Sequence, residues 1–201
     1  MTTVEAAAGQ GPPGTTAEED GRVVEDSVAD GELFTLIFDR YGEQVHAYLA
    51  RRVGPDVAED LTAETFFIAF RQRSRFDSHV GVVRAWLFGI ATNLLRRHRR
   101  TETRRWRAMA KLPPPEIYGE LEERAATQLT AQASRPRLAA ALARLAPRDR
   151  EAFLLVAFGD LTYDEAAKAL GIAHGTVCSR IARARRRIRE SLDHTDPRSV
   201  Q

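Results

Sequence analysis

The sequence predicts an all-α protein built of two small helical domains joined by a flexible linker. Three observations carry that expectation. Apolar residues recur at steps of three and four from Glu32 onward, and no stretch of length alternates with the period of a strand. A segment from Lys111 to about Arg135, opened by Pro113-Pro114-Pro115 and made acidic by Glu116, Glu120, Glu122 and Glu123, separates two such regions. The second region contains a helix, a tight turn and a helix in immediate succession.

That last pattern organises the chain. Thr162 with Glu165 three residues on is a capping box, so a helix starts there. Ala166, Ala167 and Leu170 line one face of it, and Gly171 stands where a left-handed residue ends a helix, with Ile172 folding back. Gly175-Thr176-Val177 opens the next helix. At 100° per residue, Val177, Ile181, Ala184 and Ile188 fall within roughly 60° and face a core. Ser179, Arg183 and Arg186 face outward, with Cys178 and Ala182 at the edge. A helix-turn-helix with a basic outer face suits a DNA major groove, although an αα-hairpin with a solvated arginine face has the same pattern.

Composition narrows the class. The chain of 201 residues is 43% hydrophobic, enough for globular cores, and has a formal charge of +2. That small number hides an asymmetry. Residues 1–34 hold eight acids and one arginine, a net of −7, which leaves +9 on the remainder. A basic body suggests a polyanion partner. One cysteine excludes an internal disulfide. No signal peptide or membrane-length apolar run is present, so a soluble, cytoplasmic protein without membrane insertion is expected.

In chain order, residues 1–31 are rich in Ala, Gly, Pro, Thr and acids and read as a disordered acidic extension, dispensable for function. Leu33, Phe34, Ile37, Phe38, Tyr41, Val45, Tyr48, Leu49 and Val53 then mark a helix that Gly54-Pro55 ends. Asp56, with Glu59 three residues on, is expected to cap a second helix, whose Phe66, Phe67 and Phe70 read as core. Asp60 and Glu64 lie one turn apart on one face. Residues 75–81 read as a loop, followed by a third helix from Val82 to about Arg100. Its first half is apolar; beyond it come Arg96, Arg97, Arg99, Arg100, Arg104, Arg105 and Arg107, more arginines than a helix C-terminus needs and a candidate phosphate patch. After the linker, Leu138, Ala141, Leu142 and Leu145 resume helical spacing, and Pro147 opens a further helix at its first position.

Chemistry for bond making is not visible. The five histidines have no metal-ligand spacing, no glycine-rich phosphate loop occurs, and no Ser, His and acid share a nucleophile context. No cofactor or metal is expected. Cys178 beside Arg180 reads as a small tolerated residue rather than a redox sensor.

Three segments then carry a resemblance. Asp56-Val57-Ala58-Glu59-Asp60-Leu61-Thr62-Ala63-Glu64-Thr65-Phe66 resembles the core-polymerase-binding motif of bacterial RNA polymerase sigma factors. Arg84-Ala85-Trp86-Leu87-Phe88-Gly89-Ile90-Ala91-Thr92-Asn93-Leu94 resembles their promoter-melting helix, and Leu161 to Arg187 resembles their second DNA-binding domain. Length places the likeness in the extracytoplasmic-function (ECF) group. The resemblance implies sigma region 2 over residues 32–107, a linker at 108–135, region 4 at 136–193 and a tail at 194–201.

It also implies a non-enzymatic protein with core RNA polymerase and promoter DNA as partners, and an anti-sigma factor as a frequent regulator. Asp60 and Glu64, with Asp56 and Glu59, would bind polymerase. Phe76, Asp77, His79, Trp86, Asn93, Arg96 and Arg97 would serve −10 recognition and melting, by base capture and phosphate contact. Thr176, Cys178, Ser179, Arg183, Arg186 and Arg187 would meet the −35 element. The chain departs from the family at Ala63, where glutamine is usual, and at Cys178, where a basic residue is common. A stand-alone helix-turn-helix regulator explains the last domain but not the acidic pair and the arginine-ended helix upstream. A DNA-processing enzyme would need a nucleophile or metal-binding acids that the sequence does not offer.

Overall fold

The structure is a computed structural model that describes residues 17–79, 81–109, 141, 142 and 144–193. Among these, every regular element is helical. The order is α1 (Ala17–Asp26), a 3-10 turn (Gly31–Phe34), α2 (Thr35–Val53), α3 (Pro55–Gln72), a second 3-10 turn (Arg73–Arg75), α4 (Val83–Met109), α5 (Pro147–Ala157), α6 (Tyr163–Leu170) and α7 (His174–Asp193).

The first half is α2, α3 and α4 around an aromatic-aliphatic core. Ile37, Tyr41, Val45, Tyr48 and Leu49 of α2 join Leu61, Phe66 and Ala69 of α3 and Leu87, Phe88, Ala91 and Leu95 of α4 in one buried cluster. Most polar groups inside are paired, as burial demands, with Arg52 Nε an exception. The Tyr48 hydroxyl meets Thr92 Oγ1 at 3.1 Å, and Thr62 and Thr65 donate to carbonyls one turn back. Gly54, at φ 86°, turns α2 directly into α3, and Pro55 occupies the first position of α3. Asp56 therefore does not cap that helix as expected; it sits exposed in the first turn, where the helix dipole favours an acid. The third helix also runs further than its apolar half suggested, to Met109.

One aromatic assignment changes. Phe67 is exposed rather than core, because the aromatic stripe is wider than the face that α2, α3 and α4 can cover, and Phe38 of α2 is exposed as well. Phe38 packs edge-on against the buried Phe66.

The expected disorder of residues 1–31 does not hold where the chain is described. Residues 17–26 form α1, whose Val24 is fully buried in the cluster of the first half. Asp20, only 2% exposed, accepts from both Arg40 and the Tyr41 hydroxyl of α2. Burial and the adjacent Asp20 push the Tyr41 phenol well above its ordinary pKa, so it stays a donor. Residues 1–16, the linker at 110–135 and the tail at 194–201 lie outside the described residues.

The second half is α5, α6 and α7. The sequence signals were local and are met. Thr162 Oγ1 accepts from the Glu165 amide at 3.2 Å while Glu165 accepts from the Thr162 amide at 2.8 Å. Gly171 adopts φ 62°, and the Ile172 amide reaches back to the Ala167 carbonyl at 3.0 Å. Pro147 starts α5 at its first position.

The two halves share a core. Ala152, Leu155, Leu161, Ala166, Val177 and Ile181 continue the buried cluster of α2–α4. Here α4 crosses α6 closely: a Cβ at Gly89 would stand 2.9 Å from the Ala169 carbonyl oxygen. Arg84 of α4, 4% exposed, fastens the crossing. It donates to the carbonyls of Asp160 at 2.9 Å and Gly159 at 3.0 Å, lies 3.4 Å from the Glu165 carboxylate, and donates from Nε to Gln44 at 3.2 Å. Asp160 turns its carbonyl toward Arg84 from a left-handed conformation, φ 54°, which aspartate tolerates better than most residues.

Candidate nucleic-acid interface

Three surfaces hold the residues that the sequence singled out. On α3, Leu61, Thr62, Thr65 and Phe66 point inward. Helical periodicity therefore turns Asp56, Glu59, Asp60 and Glu64 outward, and all four are exposed. Phe67, 59% exposed, extends this acidic face by one turn beyond Glu64, with the Arg71 guanidinium 5.7 Å from its ring centroid. Sequence reasoning missed Phe67 because an aromatic beside Phe66 looks like core. An apolar anchor rimmed by acids is the usual anatomy of a protein-binding patch.

The second surface is the loop before α4. Phe76 stacks on Trp86 with centroids 4.9 Å apart, both half-buried. Asp77 shapes the turn itself: its carboxylate accepts from the His79 amide at 2.9 Å and its carbonyl from the Gly81 amide at 2.7 Å. Asp77 and His79 are exposed at the tip. Further along α4, Asn93 and Arg97 are exposed. Arg96 is engaged differently from the expectation. It gives Nε and Nη2 to the Glu151 carboxylate of α5, at 2.8 and 2.6 Å, and Nη1 to Asn93 at 3.1 Å. The bond to Glu151 raises the Arg96 pKa, so the charge is permanent. A carboxylate held by a guanidinium fork has the shape and charge of a phosphate contact, so in this arrangement Arg96 is occupied from within the chain. Arg99 is also part of this region; burial, then Arg52 and Arg150, lower its pKa.

The third surface is α7. Val177, Ile181 and Ala184 are buried and Ile188 half-buried, so the helix is turned as the sequence indicated. Ser179, Arg183, Arg186 and Arg187 are exposed, and Thr176 and Cys178 lie at the margin, half-buried. The Cys178 thiol sits 3.6 Å from His174 Nδ1. Arg183 is oriented by Asp149 of α5, through Nε at 3.2 Å and Nη2 at 2.9 Å, and that bond raises its pKa. Ser179 donates to the Thr176 carbonyl at 3.0 Å. Arg186 lies 3.7 Å from Glu190 on the exposed face. Among the described residues no His, Cys, Asp or Glu cluster has the geometry to hold a metal, and no helix is long and apolar enough to cross a membrane.

An exposed acidic helix face, an aromatic-backed loop opening a basic helix, and an outward arginine row on a helix-turn-helix are the three surfaces that the resemblance to sigma factors implies. Comparison with known proteins agrees. The family Sigma-70 region 2 matches residues 37–105, and Sigma-70, region 4 matches residues 135–188. The chain belongs to the sigma-70 family, and the relatives it matches are ECF sigma factors.

It is 37% identical over 145 residues to the ECF RNA polymerase sigma factor SigE of Mycolicibacterium smegmatis, covering 67% of this chain and 51% of that one. It is 30% identical over 149 residues to BldN of Streptomyces coelicolor, covering 74% and 56%. The chain thus spans about half the length of these two relatives, whereas a 26% identical match to SigK of Mycolicibacterium vanbaalenii covers 90% of this chain and 92% of that one. Among solved structures, CnrH in complex with the cytosolic domain of CnrY shares the fold, with a TM-score of 0.62 at 23% identity over 90% of this chain and all of that one (100%). The sigma factor RpoE of Bartonella quintana, in complex with the anti-sigma factor NepR, gives a TM-score of 0.57 at 25% identity, over 81% and 98%.

Proposed function

We propose that this chain is a transcription-initiation factor. It binds core RNA polymerase through α3, directs it to promoters through −10 contacts at Phe76, Asp77, His79, Trp86, Asn93, Arg96 and Arg97 and −35 contacts on α7, and promotes DNA opening. It works by binding alone and catalyses no bond change, in the cytoplasm where polymerase and DNA meet. One observation carries most of the weight: an exposed acidic face on α3, an exposed loop before the basic α4 and an exposed arginine row on α7 occur together in one chain, and a simple regulator needs only the last of them. The solved relative RpoE is in complex with the anti-sigma factor NepR, which supports a protein regulator here as well. Run-off transcription with purified core polymerase on a promoter library is the test. Transcripts from a defined −35/−10 pair are expected; specific DNA binding without polymerase-dependent transcription would favour a stand-alone regulator instead.

The α7 surface gives a finer expectation. Asp149 fixes one edge of the Arg183 guanidinium and leaves the other for a base. An arginine on guanine is worth about 1–3 kcal/mol of discrimination. Arg183→Ala is therefore expected to relax preference at one −35 position in selection from a randomised promoter. Arg186→Ala, which loses a phosphate contact, weakens all sequences alike and reduces the salt slope by about one. Equal preference profiles for both variants would mean that α7 meets DNA by another face.

A further inference from the structure

The geometry points to α1 as the positioning element of the −10 loop: Gly21 and Glu25 set where Ser78, and with it Phe76, Asp77 and His79, stands. This rests on the assignment of that loop to −10 contacts made above.

One side of α1 is fixed to the body of the domain. Val24 is buried, and Asp20 is held by Arg40 and Tyr41, both on α2. The other side touches the loop. A Cβ added at Gly21 would come 2.7 Å from the Ser78 Cβ, closer than side-chain carbons approach. Four residues on, and so on the same face, the Glu25 carboxylate accepts from the Ser78 amide at 3.3 Å. The turn after α1 holds the end of α3 as well: Arg73 donates from Nε to the Ser27 carbonyl at 3.0 Å while its guanidinium lies 3.8 Å from the Phe70 ring centroid.

The loop is tied to itself by its own contacts. Asp77 closes it on the His79 and Gly81 amides. A Cβ at Gly81 would meet the Phe76 ring at 2.7 Å and the Asp77 carbonyl at 2.8 Å, so the turn is packed against its own first residue. Two supports then decide where this unit stands: Trp86 behind Phe76, and α1 against Ser78. Asp77 and His79 are left exposed between them. A shift of α1 relative to α2 shifts Asp77 and His79 by a similar distance, without touching the acidic face of α3 or the α7 surface.

The contact between Gly21 and Ser78 provides the test. Gly21→Ala pushes Ser78 away while favouring the helix itself. Ser78→Gly removes the atom it meets. The full chain is assembled with core polymerase on a promoter carrying both elements, and four forms are compared: unaltered, Gly21→Ala, Ser78→Gly and the double variant. Core binding and −35 preference are expected to be the same in all four. Opening at −10, read by permanganate reactivity, is expected to fall roughly 10-fold in Gly21→Ala, since a displacement of about 1 Å in a positioned site costs one to two orders of magnitude. It is expected to recover in the double variant. Equal opening by Gly21→Ala and the unaltered chain would overturn the proposal. So would loss of core binding together with opening, or a double variant no better than the single one. If the unaltered chain itself opens no promoter, the loop assignment fails and the positioning role falls with it.

Discussion

Arg84→Ala is expected to destabilise the chain by about 3 kcal/mol, because each buried polar group left without its partner costs about 1–3 kcal/mol. The guanidinium satisfies two consecutive carbonyls, of Gly159 and Asp160, and faces both Gln44 and Glu165. Alanine strands the buried carbonyl of Gly159 and removes the charge facing Glu165. For a chain of this size the loss corresponds to a fall in Tm of roughly 6–12 °C, measured by circular dichroism. Arg84→Lys recovers only part of it, since an ammonium cannot present a planar fork to two acceptors. Arg51→Ala, which loses one exposed bond to the Phe158 carbonyl, should stay within about 0.5 kcal/mol of the unaltered chain. A Tm for Arg84→Ala no lower than that of Arg51→Ala would show that the contact between the halves contributes nothing to stability.

The largest functional effect is expected from reversing the charge of the α3 face. Asp60→Lys with Glu64→Lys should lower affinity for core polymerase on the order of 100-fold, the scale at which charge pairs across interfaces are lost and like charges introduced. Helicity should not change. Both positions are exposed, and lysine is as good a helix former as glutamate. Pull-down of core polymerase against far-ultraviolet circular dichroism separates the two effects. Undiminished pull-down by the double variant would remove α3 as the polymerase-binding element.

What was legible in the sequence were the features that local chemistry determines. The Thr162–Glu165 capping box, the left-handed Gly171 and the inward row of Val177, Ile181 and Ala184 each follow from residues within a few positions of one another. The exposed faces of α3 and α7 follow from the same periodicity. What was not legible depends on distant partners. The α1 segment, AEEDGRVVED, has the composition of a disordered tail, since a carboxylate that will be buried between Arg40 and Tyr41 is written no differently from one in water. Phe67 was read with Phe66 as core because adjacent aromatics do not announce which side of a helix has a neighbour. Arg96 was read as a phosphate ligand, and its pairing with Glu151, 55 positions away, needed coordinates. Arg84 falls in the segment that resembles the promoter-melting helix, and nothing near it in sequence points to the carbonyls it holds.

The carbonyls of Gly159 and Asp160 follow the C-terminus of α5, where helices commonly rely on a nearby glycine turn, a side chain or water to satisfy the chain. Here the donor comes from α4, about 75 positions earlier (75 and 76 residues from the two carbonyls). Melting of either half therefore strips hydrogen-bond partners from the other, and the buried cluster that runs from Val24 to Ile181 is broken at the same moment. Heat should then be absorbed in one cooperative transition rather than two, with calorimetric and van't Hoff enthalpies equal. Two separate peaks would mean that the halves unfold as independent units.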